Sequence, residues 1–191
     1  MNSVRIALIG CGAAALRYYV PAFQKYRKRF KELYLVDIDT DNAEQVRSSL
    51  GWGDIRTEYR DVLPDVDGAI ILLPNHLHHG VAMNCLNAGV NVLCEKPLAV
   101  DPEQAREMVE TAEKNNVALC VNNTRRTFPN FLAVKEMIQS GELGRLQKIE
   151  YIEGSTFGWP SSTGFYVNPK VSSKGIQIGR ASCRERVSVV V

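Results

Sequence analysis

The chain has 191 residues, 45% hydrophobic, 23% charged and 8% aromatic, a globular balance that excludes collagen, coiled coil and a disordered chain. Its net charge of +2 is local: three arginines and one glutamate lie beyond Gln177, which leaves 20 basic and 20 acidic residues in the first 177 and no basic excess for nucleic acid. No apolar run approaches the roughly 18 residues of a membrane helix, so no membrane partner is expected either.

Residues 4–9 form a β-branched apolar run. Gly10-Cys11-Gly12 follows, then helix formers 13–17, which reads as strand, tight turn and helix. Pro21 kinks or restarts that helix. The five basic residues in 25–31 read as a solvated helix end suited to the C-terminal dipole, or as an anion patch. A second strand covers 33–36 and ends at Asp37; Asp41 is placed to cap a helix over 42–50. The continuous apolar run 68–73 suits a strand of a parallel sheet covered on both faces. A helix over 79–87 stops at Gly89, and a strand spans 90–94. Asp101 caps and Pro102 opens a helix to 115, and 117–121 is one more apolar strand.

Strands alternating with helices over 4–121 predict a doubly wound α/β sheet. The pattern changes near 122–124. A helix over 129–140 precedes Gly141 and Gly144, an alternating half-exposed strand covers 145–154, and Gly, Ser, Pro and Thr become frequent up to 174. The five cysteines, Cys11, Cys85, Cys94, Cys120 and Cys183, form no CxxC and no zinc spacing with histidine. With no secretory pattern after Met1, they read as free thiols in a reducing, cytoplasmic compartment.

Four motifs carry chemistry. Gly10-Cys11-Gly12-Ala13-Ala14-Ala15 is a GxGxxA turn between strand and helix. Gly10 permits the sharp turn, Gly12 lets backbone approach a pyrophosphate, Ala15 lets helix and strand pack, and the helix N-terminus offers free N–H groups to phosphate. Asp37, 22 residues beyond Ala15, is placed to accept hydrogen bonds from adenosine ribose hydroxyls and to repel a 2′-phosphate, favouring NAD over NADP. Asp39 shares that role, or both acids are turn residues. Pro74-Asn75-His76-Leu77-His78 follows the apolar strand, where an α/β sheet presents its strand ends to ligand. Three histidines within four residues raise a metal site, but no Cys, Asp or Glu joins them. His78 instead orients the helix start or the cleft, with His76 and His79 at the surface. Glu95-Lys96-Pro97 ends a buried strand. It is a surface ion pair, or its lysine hydrogen-bonds a substrate hydroxyl and exchanges a proton with it, with a cis proline fixing the bend.

These motifs, followed by Arg125-Arg126 and Gly141-Glu-Leu-Gly144, come in an order and spacing that resembles the Gfo/Idh/MocA oxidoreductases, which include glucose–fructose oxidoreductase and inositol dehydrogenase. The resemblance covers about residues 4–176. It implies a Rossmann domain (1–122) that binds NAD, with NADP possible, and an α+β substrate domain begun at 123–177 on a mostly antiparallel sheet. It implies cofactor contacts from Gly10, Gly12, Ala13, Ala14, Asp37, Pro74, Asn75, His78, Glu95, Lys96 and Arg126, with Lys96 catalytic. The reaction implied is hydride transfer between nicotinamide and a sugar- or polyol-like substrate in a homo-oligomer. The alternative is a dinucleotide-binding sensor without catalysis, which would not need Lys96.

The chain also departs from the family, whose members usually exceed 300 residues and carry a catalytic Asp and His beyond a Gly-rich turn. No such segment is present here. Residues 178–191 fit no family element and resemble a one-frame translation of a short-read sequencing adapter, so they are expected to be a non-biological tail. A chain cut short is therefore expected to bind cofactor, turn nothing over and dissolve poorly. The aromatic segments 157–160 and 164–166 line a substrate pocket or form a packed loop.

Overall fold

A computed structural model describes residues 3–153 and 185–190, so the aromatic segments 157–160 and 164–166 lie outside the described residues. The chain divides into two compact units, Met1–Asn122 and Asn123–Val191.

The first unit is built on a six-stranded parallel sheet: β1 (Val4–Ile9), β2 (Phe30–Val36), β3 (Asp54–Arg56), β4 (Gly68–Ile71), β5 (Asn91–Glu95) and β6 (Leu119–Asn122). Their order is β3-β2-β1-β4-β5-β6. The chain runs outward from β1 through β2 and β3, then returns to the other side of β1 at β4. That reversal leaves a crevice between the carboxyl ends of β1 and β4.

Both faces of the sheet are covered. Ala7 and Ile9 pack into one core with Val36, Ile71, Val92 and Met108. Leu8, between them in sequence, packs into the other with Leu33, Leu35, Val46 and Phe23. Alternate side chains of one strand thus enter two cores, which is why β1 reads as a continuous apolar run.

Between β1 and β2 the chain forms a π-helical turn (Ala15–Tyr19), helix α1 (Val20–Lys25) and a short 3₁₀ turn (Arg27–Arg29). Pro21 sits where the sequence places a restart, in the first turn of α1 directly after the π-helical segment, where its missing N–H loses little. The irregularity lies one turn earlier, where Val20 N–H reaches back five residues to Ala15 O. Of the basic residues here, Arg27 stacks on Trp52 at 3.8 Å and donates to Phe30 O at 2.8 Å.

Helix α2 is Thr40–Leu50, and its cap is Asp39, not Asp41: the Asp39 side chain accepts from Asp41 N–H at 3.0 Å. Helix α3 is Asn75–Asn87, four residues longer at its start than the sequence suggests. Asn75, His78, Val81, Ala82, Cys85 and Leu86 are all buried, and this inward face draws the polar start of the segment into the helix. Helix α4 (Pro102–Lys114) begins where Asp101 and Pro102 place it. The short edge strand β3 and the 3₁₀ segment Tyr59–Asp65 carry no strong periodicity and are legible only in the fold.

The second unit holds a 3₁₀ turn (Thr124–Thr127), helix α5 (Pro129–Gln139) and strands β7 (Lys148–Glu153) and β8 (Glu185–Val190), which pair antiparallel. β8 lies in the segment set apart above as a tail; its valines carry strand propensity whatever their origin. Phe128, Leu132, Val134, Met137 and Leu143 are exposed.

Candidate functional site

The glycine loop closes the C-terminal end of β1. Gly10 has φ +99°, and a Cβ there would lie 2.8 Å from Leu72 O, so both backbone conformation and neighbour demand glycine. Gly12 differs: a Cβ there would meet no atom within 4 Å. Among the described residues nothing occupies the space beside Gly12, which is the condition for a ligand to approach its backbone. Ala15 is fully buried against the second core, as close helix–strand packing requires.

Asp37, at the end of β2, braces this loop. Its Oδ2 accepts from Cys11 N–H at 2.8 Å and its Oδ1 from Asp39 N–H at 2.9 Å. The carboxylate therefore ties the glycine loop to the β2 turn, and each oxygen keeps one acceptor position for a hydroxyl. Beside it, burial and the Asp37 charge push the Cys11 thiol up to about 12, so the sulfur stays protonated.

Across the crevice, Pro74 precedes α3 and Asn75 begins it. Asn75 is 9% exposed, and among the described residues its side-chain oxygen has no hydrogen-bond partner. His78 is 1% exposed, with Nδ1 2.8 Å from Pro97 O and Nε2 2.8 Å from Leu73 O. The ring thus spans the two loops that follow β4 and β5. His79 pairs with Glu107 at 2.7 Å, and His76 is exposed. Among the described residues no group of His, Cys, Asp and Glu is arranged to hold a metal.

Glu95 and Lys96 do not form an ion pair. Glu95 Oε1 accepts from Tyr19 O–H at 3.0 Å and from Asn122 Nδ2 at 2.7 Å, and Oε2 accepts from Lys96 N–H at 3.1 Å. The Lys96–Pro97 peptide is cis, and the Lys96 side chain is exposed at the end of β5. Arg126 belongs to the second unit, where it is exposed on the 3₁₀ turn.

The helix starts divide into two kinds. Those after β2 and β5 are capped by aspartates, Asp39 and Asp101, whose side chains accept from Asp41 and Glu103 N–H. Those after β1 and β4, the strands that flank the crevice, begin behind Gly12, which has no side chain to cap with, and Pro74, which makes no side-chain cap. Free N–H groups at these starts are suited to phosphate oxygens. Together with the open space at Gly12 and the orphaned Asn75 oxygen, they fit a dinucleotide: Gly10, Gly12, Ala13 and Ala14 at the pyrophosphate and Asp37 at the adenosine side.

Tyr19 and Asn122 are the site residues that sequence reasoning missed. Asn122 carried one available signal, a polar residue at the carboxyl end of a parallel strand. Tyr19 carried none, because it faces inward only through the π-helical turn.

The oxidoreductase family with an NAD-binding Rossmann fold, Gfo/Idh/MocA, matches residues 4–123. The D-glucoside 3-dehydrogenase of Escherichia coli is 30% identical over 149 residues, 76% of this chain and 42% of the relative. The solved myo-inositol 2-dehydrogenase of Lactobacillus plantarum superposes with TM-score 0.79 at 25% identity, covering 93% of this chain and 52% of that one. The WlbA dehydrogenase of Chromobacterium violaceum, solved with NADH and UDP-GlcNAcA, gives 0.70 at 29% identity, covering 80% and 43%. This chain thus spans about half the length of these proteins or less. Over that span the parallel sheet, the glycine loop braced by Asp37 and the Glu95-Lys96-Pro97 strand end coincide with the family match, and the chain belongs to the Gfo/Idh/MocA oxidoreductases.

Proposed function

We propose that the chain is the cofactor-binding part of an NAD(P)-dependent dehydrogenase acting on a sugar- or polyol-like carbinol. The observation that carries this reading is the placement of Lys96 in the same sheet end as the glycine loop, at the close of β5. A dinucleotide sensor has no use for an exposed lysine there. The glucoside and inositol dehydrogenases among the relatives support the substrate class.

When bound, the nicotinamide supplies or takes up the hydride. The protein's work is positioning and proton handling. Gly10 to Ala14 hold the pyrophosphate through backbone N–H groups. Asp37 receives the adenosine ribose and opposes a 2′-phosphate, so NAD is preferred. Among the described residues the Lys96 ammonium has no partner, which leaves it available to hydrogen-bond the reacting oxygen and exchange its proton as carbinol and carbonyl interconvert. Pro74, Asn75 and Glu95 complete the cofactor contacts in this reading, while the buried His78, both ring nitrogens engaged by the Pro97 and Leu73 carbonyls, holds the loops behind them instead of touching cofactor. In this reading the 191 residues by themselves bind cofactor without turnover.

Titration of the 191-residue chain with NADH tests the reading. Saturable binding that Gly12→Val weakens about a hundredfold is expected, with no oxidation of inositol or glucosides. Absence of binding would overturn the cofactor assignment, and a measurable dehydrogenase rate would overturn the inactivity.

A further inference from the structure

The geometry points to Tyr19 and Asn122 as positioning residues for the nicotinamide half of the site: they lock the Glu95 carboxylate, and through it the Lys96 backbone, to the helix that begins at the phosphate loop. The inference rests on the dinucleotide reading above.

Three groups from distant parts of the chain meet here. Tyr19 Oη lies 3.0 Å from Glu95 Oε1, Asn122 Nδ2 lies 2.7 Å from the same oxygen, and Asn122 Nδ2 lies 2.8 Å from Tyr19 Oη. The donors and acceptors balance. The phenol donates to Glu95, and the two amide hydrogens of Asn122 go to Glu95 and to the phenol oxygen. Burial and the Glu95 charge push the Tyr19 phenol well above its usual range, so it keeps its proton and remains a donor. The free carboxylate oxygen holds Lys96 N–H at 3.1 Å.

Packing alone does not call for this set. A half-buried polar triangle is no better for stability than apolar side chains of the same size. It sits at the carboxyl ends of β5 and β6, where this fold binds ligand. The π-helical turn supports the same conclusion: Val20 N–H reaches Ala15 O, and the widened turn buries both Ala15 and Tyr19. Such turns are frequent at functional sites.

The position sets the specificity of the effect. Asp37 lies at the end of β2, on one side of the crevice, and Glu95 and Asn122 lie at β5 and β6 on the other. The two halves of such a sheet serve the two halves of a dinucleotide. Tyr19 reaches from the first half to the second. Its loss should be felt by the nicotinamide riboside end and not by the adenosine diphosphate end.

The 191-residue chain, Tyr19→Phe and Asn122→Asp are each titrated with NADH and with ADP, after circular dichroism has established that each is folded. Both variants are expected to bind NADH about tenfold more weakly, about 1.4 kcal/mol, and ADP within twofold of the unsubstituted chain. Asn122→Asp sets a second carboxylate against Glu95, so it reports on the same lock should Tyr19→Phe not fold. Equal loss for both ligands would make the triangle a structural brace, and unchanged NADH affinity in a folded variant would remove its positioning role. If the unsubstituted chain bound neither ligand, the dinucleotide reading itself would fall, an outcome distinct from either of these.

Discussion

The two halves of the sheet hold their functional groups by different means. On the β1–β2 side the ties run through backbone: Asp37 accepts from Cys11 and Asp39 N–H, and Gly10 N–H donates to Val36 O at 2.8 Å. On the β4–β5–β6 side they also run between side chains far apart in sequence, as Tyr19, Glu95 and Asn122 do, and through His78 between two loop carbonyls. A backbone cradle suits a pyrophosphate, which every dinucleotide carries. A side-chain lattice can be altered residue by residue, which suits the end of the site where substrate chemistry differs between relatives.

The sharpest way to break this contrast is within the glycine loop. Gly10→Ala adds a Cβ against Leu72 O in a positive-φ turn and should cost about 3 kcal/mol of stability, with cofactor binding lost as a consequence. Gly12→Val should leave the thermal midpoint close to that of the unsubstituted chain while weakening NADH about a hundredfold, since no described residue contests that space. Similar melting losses for both would show that the open space at Gly12 is not a ligand's. In the other half, His78→Leu should cost about 2 kcal/mol in denaturant unfolding, because whichever of the Leu73 and Pro97 carbonyls accepts the ring N–H loses its donor in a buried site. An unchanged midpoint would mean water satisfies it. At the adenosine end, NADPH should bind about tenfold more weakly than NADH, and Asp37→Ser should narrow that gap. Equal affinities in the unsubstituted chain would remove the discriminating role of Asp37.

The smallest effect concerns the buried thiols. Burial pushes Cys11, Cys85 and Cys94 from 9.0 to about 12. The folded state therefore holds these protons more tightly than the unfolded chain. Their contribution to stability is complete below pH 9 and is lost as pH rises toward 12. Thiol alkylation of the native chain at pH 8 should modify the exposed Cys120 and spare these three; rapid labelling of Cys11 would show that the loop opens.

Much of the first half was legible because its chemistry is local. GxGxxA needs only a strand before it and a helix after it, and the acid at the end of β2 follows at a spacing set by one helix and one strand. The aspartate–proline start of α4 is local in the same sense. Legibility failed where two local solutions compete or where tertiary packing decides. Asp39 and Asp41 both suit a cap, and the backbone path out of β2 selects Asp39. The start of α3 looks like a loop until the burial of Asn75 and His78 is known.

The sequence by itself determined the doubly wound sheet and the glycine turn after β1, since each follows from periodicity or from residues adjacent in the chain, and the resemblance to a family singled out Asp37 and Glu95-Lys96-Pro97. Only the tertiary structure decided that Tyr19 and Asn122 hold Glu95, that His78 joins the loops after β4 and β5, and that Asp37 braces Cys11. Tyr19 and Asn122 stand 103 residues apart, and they meet because the strand order brings the ends of β5 and β6 within reach of the first helix. No local pattern encodes that meeting, which Tyr19 makes from the end of a widened helical turn.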